Sequence, residues 1–231
     1  MPRPALRALA AAAALALAAP ALGQPAAPVQ VVELYTSQGC SSCPPADAAL
    51  AQISARPEIL ALSFGVTYWD DLGWKDTFAQ SKFTDRQWAY ARGLRHAQVA
   101  TPQVVVNGRL DVVGQSVGEI DQALRRAALP PGGPKLTLGP GQVAIAGDAQ
   151  RRPADVWLVR YDPTTEQVPV KRGENTGKTL PIKNVVRQLT KLGGWTGGPR
   201  TYAVPAGPAG LKTAILLQAG PGGPILAAAK G

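Results

Sequence analysis

The sequence predicts an α/β protein in which a mixed β-sheet with flanking helices, residues 29–130, is followed by a small, mainly antiparallel β domain, residues 135–231. Three observations lead to this fold class. Strand-type and helix-type segments alternate as far as residue 129, and short β-type runs separated by glycine and proline dominate from residue 135 onward. The segment "LPPGGPK" (129–135) has the composition of a linker. We therefore place a domain boundary there.

The N-terminus has the features of a secretory signal peptide. Arg3 and Arg7 precede an Ala/Leu run, and the small residues Ala21 and Gly23 follow it. The apolar run is shorter than the roughly 20 residues that a membrane helix needs. We expect residues 1–23 to be removed, no membrane span, and a periplasmic or secreted bacterial protein in a compartment where disulfides persist.

The first structural unit is a strand–helix–strand segment. Residues 31–35, "VVELY", form a β-type run, and residues 45–55 carry apolar side chains at helical spacing. Residues 58–69, "EILALSFGVTYW", read as a buried strand. Because a helix joins the two strands, we expect them to be parallel.

A loop and a second helix come next, in residues 70–94. We expect Phe83, Trp88 and Leu94 to form the apolar face of this helix.

A hairpin and a third helix complete the first half. Residues 102–114 contain two β-type runs around Asn107-Gly108, a strong hairpin signal. Ser116 stands three residues before Glu119, which is the capping-box pattern, and a helix follows to residue 129. The order β-α-β, then α-β-β-α, is typical of the thioredoxin-like arrangement.

The second half is rich in short β-type runs and in positive charge. A small antiparallel sandwich is expected, interrupted by one helix over residues 182–193, "IKNVVRQLTKLG". Residues 135–231 hold 13 Lys and Arg against 5 Asp and Glu. This surface could bind an acidic partner, or the charges could simply keep the domain soluble. Nucleic acid is not an expected partner, since no nucleic-acid motif is present and the protein is expected to be exported.

The two cysteines of the chain, Cys40 and Cys43, lie in "VVELYTSQGCSSCPPAD" (31–47). As a structural staple the pair would be weak, because a loop of about 4 residues yields roughly 2 kcal/mol. Zinc usually needs more protein ligands than two cysteines and the single His96 supply, and His96 is expected at the surface. Copper(I) accepts two or three soft ligands, so a copper carrier remains an alternative.

A redox role accounts for more of the sequence around the pair. The motif follows a strand and precedes a helix, where backbone N–H groups and the helix dipole stabilise a thiolate. Cys40 would then be the exposed nucleophile and Cys43 the deeper, resolving cysteine. No cofactor beyond this redox-active disulfide is expected.

Other residues are expected to complete this site. In thioredoxin-like proteins a Thr-Pro pair before the later strand holds its proline cis and faces the CxxC motif, which assigns that role to Thr101 and Pro102. Glu33, in the first strand, either accepts a proton from Cys43 or faces solvent. Trp69, Trp74 and Asp70 are candidates for a rim that binds the substrate; alternatively the two tryptophans belong to the core or an interface, and Asp70 caps the next element.

Several segments together resemble one family. The segments "ELYTSQGCSSCPPAD", "YWDDLGWKD", "TPQVVVNGR" and "RGENTGKTL…NVVRQL" are similar to an exported bacterial family of unknown function, domain-of-unknown-function family 1223, from about residue 29 to the C-terminus. The resemblance implies a thioredoxin-like fold and an exported protein, but no reaction. Gly65 and Thr67 stand where the family has a histidine and an aspartate, which argues against a metal or proton-relay role there.

The sequence therefore predicts an exported thiol–disulfide oxidoreductase that acts on protein or small-molecule thiols and disulfides. Two alternatives remain at this point: a copper-delivery protein that uses the same cysteines, and a binding module on a thioredoxin-like scaffold. The segment "KRGENTGKTLPIKN" could be a binding loop or a solvated hairpin.

Overall fold

A computed structural model describes Met1 and residues 28–130, 132–148 and 152–231. The predicted signal peptide, apart from Met1, lies outside the described residues. No helix in the described part of the chain is both long and apolar enough to cross a membrane.

Three helices and eleven strands build the described chain. The helices are α1 (Pro44–Ile53), α2 (Ser81–Leu94) and α3 (Val117–Arg126). The strands are β1 (Gln30–Thr36), β2 (Ile59–Gly65), β3 (Gln103–Val106), β4 (Leu110–Val112), β5 (Leu136–Gly139), β6 (Gln142–Ile145), β7 (Ala154–Pro169), β8 (Thr179–Trp195), β9 (Arg200–Ala203), β10 (Lys212–Gln218) and β11 (Ile225–Lys230). The predicted α/β fold class is confirmed.

The first half forms the expected mixed sheet. Strand β1 runs parallel to β2 and antiparallel to β3, and β3 pairs with β4. Asn107 and Gly108 have φ values of 50° and 61°, as a tight hairpin turn with two left-handed residues requires. The Ser116 hydroxyl accepts a hydrogen bond from the N–H of Glu119 at the start of α3, so the predicted cap is confirmed.

The second half extends this sheet instead of forming a separate one. The eight-stranded sheet has the order β11-β10-β7-β8-β2-β1-β3-β4, and β8 joins β2 in parallel where Ser63 lies opposite Val185. A three-stranded antiparallel sheet, β5-β6-β9, packs on β7, β10 and β11 to form the expected sandwich. The boundary placed at 129–135 falls between α3 and β5, and it stays a prediction.

Helices cover both faces of the sheet. Helices α1 and α3 pack on one face, against Val32 and Leu34 of β1. Helix α2 packs on the other face, where Val31 and Tyr35 lie. Successive side chains of β1 thus point to opposite faces of the sheet, and both sets are apolar, as expected of a strand that is buried on both sides. Both faces are therefore closed, and the carboxyl end of β1 leads into the CxxC loop.

The predicted helix over residues 182–193 is wrong, because this segment belongs to β8. Its apolar residues Ile182, Val185, Val186 and Leu189 have a helix-like spacing. The β7–β8 pairing shifts register at three places, and such bulges change which side chains face the core. The apolar residues of this bulged strand are therefore spaced along the sequence as those of a helix would be.

The apolar face predicted for α2 is partly wrong. Phe83 is buried and Leu94 packs at the edge of the core, but Trp88 is exposed. Tyr90 and Arg86 are buried in its place.

Candidate functional site

The cysteine pair lies at the junction between β1 and α1. Cys40 and Cys43 form a disulfide, and Cys43 is the N-cap residue of α1. Prolines 44 and 45 occupy the first helical positions, where the missing N–H groups are no loss. The backbone N–H groups of Ala46 and Asp47 donate to the carbonyl oxygen of Cys43. The helix dipole therefore acts most directly on Cys43.

The expectation that Cys40 is exposed is wrong. Both cysteines have 0 % exposed surface, although Ser41 and Ser42 between them are exposed. The Sγ of Cys40 lies 3.3 Å from the Ser42 hydroxyl and 3.7 Å from the carbonyl oxygen of Thr101. Access to either sulfur therefore requires a movement of the surrounding chain.

A segment from the second half of the sequence helps to bury the disulfide. Residues 170–178, which connect β7 to β8 and are here called the covering loop, contact the CxxC segment. The Asn175 side chain is fully buried, and its Nδ2 donates to the carbonyl oxygens of Gln38 and Cys40 at 3.0 and 2.9 Å. The carboxylate of Glu174 accepts from the N–H of Ser41 at 3.0 Å. Hydrogen bonds from the hydroxyl and backbone of Ser41 lower the pKa of Glu174.

The expected Thr-Pro element also lies at the disulfide. The Thr101–Pro102 peptide bond is cis, Pro102 is buried, and the Thr101 carbonyl oxygen lies 3.7 Å from the Cys40 sulfur. The indole N–H of Trp69 donates to the Thr101 hydroxyl at 2.8 Å. Trp69 also packs beside Gly39 of the CxxC loop, where an added Cβ would lie 3.5 Å from the Trp69 Cβ. Trp69 therefore bridges the two loops that border the disulfide.

Trp74 and two aspartates hold the other side of the CxxC loop. The Trp74 indole N–H donates to Gln38 Oε1 at 2.9 Å, and the Gln38 backbone N–H donates to Asp76 Oδ2 at 2.8 Å. Burial raises the pKa of Asp76, although the N–H groups of Gln38 and Phe78 oppose the rise. Asp70 accepts from the backbone N–H of Asp76 at 3.0 Å. Both tryptophans and Asp70 thus lie at the site as structural supports, and their contact with a substrate stays a prediction.

The carboxylate of Glu33 is engaged in a buried hydrogen-bond network and not with the cysteines. Arg86 donates to both of its carboxylate oxygens, at 2.9 and 2.8 Å, and the hydroxyls of Tyr35 and Tyr90 donate as well. Arg86 also donates to Gln218 of β10. This buried network ties β1 and α2 to the second half of the chain. Glu33 is therefore a poor candidate for accepting a proton from Cys43.

Asp47 is a buried acid that the sequence interpretation passed over. It follows Cys43 by four residues, so the two side chains share one face of α1. Oδ2 accepts from the Thr36 hydroxyl at 3.2 Å, and the buried Oδ1 has no hydrogen-bond partner among the described residues. Burial raises the pKa of Asp47 to about 8, with a smaller contribution from Asp76. The one available signal was an acid among Ala46, Leu50 and other apolar residues on a buried helical face.

Asn175 and Glu174 were also missed as site residues. They belong to "KRGENTGKTLPIKN", for which a binding loop and a solvated hairpin were both considered. Asn175 lies 135 residues from Cys40 along the chain. No local pattern signals such a contact.

The described residues offer little to a metal. They contain no cluster of three or more His, Cys, Asp and Glu side chains that could hold an ion. His96 is exposed and pairs with Asp111 at 2.9 Å. At Gly65 an added Cβ would lie 2.9 Å from the backbone N of Ala79, so no side chain fits there. Within the described ranges, Cys40 and Cys43 alone remain for the copper alternative.

Comparisons with known proteins give a family and two related structures. The X-ray crystal structure of protein AGR_C_4864 from Agrobacterium tumefaciens is 33 % identical to this chain, covers 90 % of it and 95 % of its own length, and superposes with a TM-score of 0.71. HBP35 of Porphyromonas gingivalis is 11 % identical, with coverage of 89 % and 75 % and a TM-score of 0.54, which indicates a shared fold alone. No curated protein shows significant similarity. The model of the family described as "Protein of unknown function (DUF1223)" matches residues 31–218, and the chain belongs to this family.

Proposed function

We propose that this protein is an exported thiol–disulfide oxidoreductase with a thioredoxin-like site, acting on protein or small-molecule thiols and disulfides. One observation carries the proposal: the Cys40–Cys43 disulfide lies between the end of β1 and the start of α1, with the carbonyl before a cis proline 3.7 Å from the Cys40 sulfur. A staple in this position adds little stability, since it closes a very short loop. The signal-like N-terminus with Arg3 and Arg7 supports export.

The exchange proceeds in two displacement steps. A partner thiolate attacks the Cys40 sulfur, the Cys40–Cys43 bond breaks, and Cys43 leaves as a thiolate. A second partner thiolate attacks the partner's sulfur in the mixed disulfide and releases Cys40 as a thiolate. The partner has then lost two electrons and formed a disulfide, and the protein holds two reduced cysteines. In reverse, Cys40 attacks a partner disulfide and Cys43 resolves the mixed disulfide.

Ser42 and Asp47 serve the two sulfurs differently. The Ser42 hydroxyl, 3.3 Å from the Cys40 sulfur, donates to the thiolate that forms there. Asp47 holds its proton at neutral pH because burial raises its pKa to about 8, and it shares a helical face with Cys43. It can give this proton to the leaving Cys43 thiolate. Its pKa is close to the value of about 8.5 for an ordinary thiol, so transfer is feasible in both directions.

Exchange also requires the covering loop to move. The disulfide is buried, and the covering loop is held to the CxxC segment by hydrogen bonds that Asn175 donates and one that Glu174 accepts. Such bonds contribute about 0.5–1.5 kcal/mol each. The free-energy cost of displacing the loop is therefore small. Loop motions of this kind occur in microseconds to milliseconds, which is fast enough for a catalytic cycle.

Trapping of a mixed disulfide tests the proposal. The Cys43→Ser variant is incubated with oxidised glutathione, and the products are identified by mass spectrometry. We expect Cys40 to accumulate one glutathione adduct. The Cys40→Ser variant is the matched control and should react at least about tenfold more slowly, because in the proposed exchange Cys40 is the attacking cysteine and the Ser42 hydroxyl, 3.3 Å from its sulfur, stabilises the Cys40 thiolate. No adduct on either variant, with both correctly folded, would contradict the proposal.

A binding module on this scaffold is the second candidate, and the complete burial of both sulfurs favours it. In that case the disulfide is structural and the positively charged second half recognises the partner. The same trapping experiment separates the two, since a structural disulfide leaves Cys40 unreactive in the folded Cys43→Ser variant.

A further inference from the structure

Three lysines from three strands line one pocket at the end of the sheet opposite the disulfide. The pocket has a volume of about 410 Å³, and Lys183 of β8, Lys212 of β10 and Lys230 of β11 line it. Ile59, the first residue of β2, also lines it and pairs with Gln30 at the start of β1. The CxxC loop leaves the other end of β1, about 20 Å away at 3.3 Å per residue. The pocket is therefore distinct from the cysteine site.

Two of the ammonium groups are held in place by backbone carbonyls. Lys230 Nζ donates to the carbonyl oxygen of Ile59 at 2.6 Å, and Lys183 Nζ donates to that of Pro163 at 2.8 Å. An ammonium has three N–H donors, so two remain on each of these groups. Both lysines are half-buried, whereas Lys212 is exposed. The donors are thus fixed by the fold rather than free in solvent.

The positive charge of the three lysines is offset only in part: in the described residues Glu58 raises the pKa of Lys230, and Gly231 also lines the pocket. Within residues 28–130, 132–148 and 152–231, none of the three lysines forms an ion pair with a carboxylate. Burial and the charge of Lys212 lower the pKa of Lys230, and Glu58 opposes this only in part. Gathering like charges in a half-buried place costs free energy, which a bound anion would recover.

The remaining lining suits a small polar ligand. Tyr161 lines the pocket, and Asn184 also lines it, with its side-chain amide donating to the carbonyl oxygen of Ala61 at 2.8 Å. Asn184 has a left-handed backbone, φ 54°, beside the register shift of the β7–β8 pair. The bulged segment thereby brings Lys183 and Asn184 to the pocket edge together.

We infer that this pocket is a binding site for a small dianion of the phosphate type, inorganic phosphate or a phosphate monoester, held by Lys183, Lys212 and Lys230. Three lysines that line one pocket suit a doubly charged group with several acceptor oxygens better than a single carboxylate. The inference is independent of the proposed redox function, because no residue of the cysteine site takes part. It gives the positive charge of the second half a specific location.

Isothermal titration calorimetry of the full chain with sodium phosphate at constant ionic strength tests this site, with sodium acetate as the monoanion for comparison. We expect saturable binding of phosphate and at least about fivefold weaker binding of acetate. Lys212→Gln should weaken phosphate binding about fivefold, the effect of about 1 kcal/mol per exposed charge contact. Lys183→Gln should weaken it at least as much.

Lys82→Gln in α2 is the matched control, because it removes one lysine charge away from the pocket. It should leave phosphate affinity within about twofold of the wild type. The inference is overturned if phosphate shows no saturable binding up to about 10 mM, or if Lys82→Gln weakens binding as much as Lys212→Gln. Since the Lys212 side chain is exposed and its replacement should not disturb folding, a failure of Lys183→Gln to fold leaves the test intact.

Discussion

Replacing Asp47 by asparagine should stabilise the protein at neutral pH. The Asp47 side chain is buried with 5 % exposed surface, and its Oδ2 accepts one hydrogen bond from Thr36, while Oδ1 finds no partner in the part of the chain that the structure describes. Ionising such a carboxyl group costs free energy in the folded state only. Asparagine has nearly the same shape, keeps an acceptor for Thr36, and carries no charge at any pH.

The magnitude follows from the pKa. Burial raises the pKa of Asp47 from 3.8 to about 8, and each pKa unit corresponds to about 1.36 kcal/mol. The unfolded chain gains by ionising Asp47 above pH 3.8, whereas the folded chain keeps the proton until about pH 8. The contribution of Asp47 to stability is therefore full below pH 4, falls as pH rises, and levels off above about 8. At pH 7 the wild type has lost about 4 kcal/mol of stability at most through this effect. Asp47→Asn avoids this loss, but burying its amide costs about 1–3 kcal/mol.

Urea unfolding of the wild type and of Asp47→Asn at several pH values between 4 and 9 measures this difference. We expect the variant to gain about 1–3 kcal/mol over the wild type at pH 7 and to lose that advantage near pH 4. Asp85→Asn is the control, since Asp85 is an exposed carboxylate on α2, and its effect should stay within about 0.5 kcal/mol. A difference between Asp47→Asn and wild type that does not change with pH would refute the reasoning.

Three further results are expected. Glu33→Gln should lower the free energy of unfolding by about 3–5 kcal/mol, because it leaves the buried Arg86 without its anion; urea unfolding measures it. Asn175→Ala should speed reduction of the disulfide by dithiothreitol about tenfold, because the covering loop loses two hydrogen bonds; rapid-quench alkylation measures it. Gly93→Ala should lower the melting temperature markedly, because a Cβ there would lie 2.2 Å from the Gly222 carbonyl oxygen; calorimetry measures it.

Each of these results has a control and a contradicting outcome. Arg56→Ala breaks a partly exposed ion pair with Asp121 and should lower the free energy of unfolding by at most about 1 kcal/mol. An equal loss in Arg56→Ala and Glu33→Gln would contradict the larger contribution of the buried network to stability. Thr176→Ala removes a hydrogen bond within the covering loop, from the Thr176 hydroxyl to the Gly173 carbonyl oxygen. If it accelerates reduction as much as Asn175→Ala does, the hydrogen bonds of Asn175 to the CxxC segment do not control access to the disulfide. Gly118→Ala has nothing within 4 Å of its added Cβ, so a melting temperature as low as that of Gly93→Ala would contradict the packing argument.

Local signals in the sequence were sufficient for much of the first half. The Asn107-Gly108 turn and the Ser116 cap are short-range features, and both appear as predicted. The cis bond at Pro102 follows from a resemblance combined with a position at a strand start. These features depend on residues a few positions apart, which a single sequence shows directly.

Features that depend on distant pairing could not be predicted. Because the β7–β8 pair is bulged, the core-facing residues of 182–193 do not alternate regularly, and their spacing in the sequence resembles that of a helix. The sequence therefore predicts a helix where the structure has β8. The single parallel contact between Ser63 and Val185 merges the two halves into one sheet. The Asn175 contact likewise covers Cys40 from 135 residues away. Burial of both sulfurs and the pairing of Glu33 with Arg86 follow from this tertiary assembly.

Equilibrium redox titration of the Cys40–Cys43 couple in glutathione buffers tests the central claim most directly, with alkylation and mass spectrometry reporting the fraction reduced. We expect a reversible two-electron transition with a midpoint between about −270 and −120 mV, the range of proteins that exchange disulfides. A disulfide that stays oxidised at potentials below about −300 mV, as structural disulfides do, would contradict the claim.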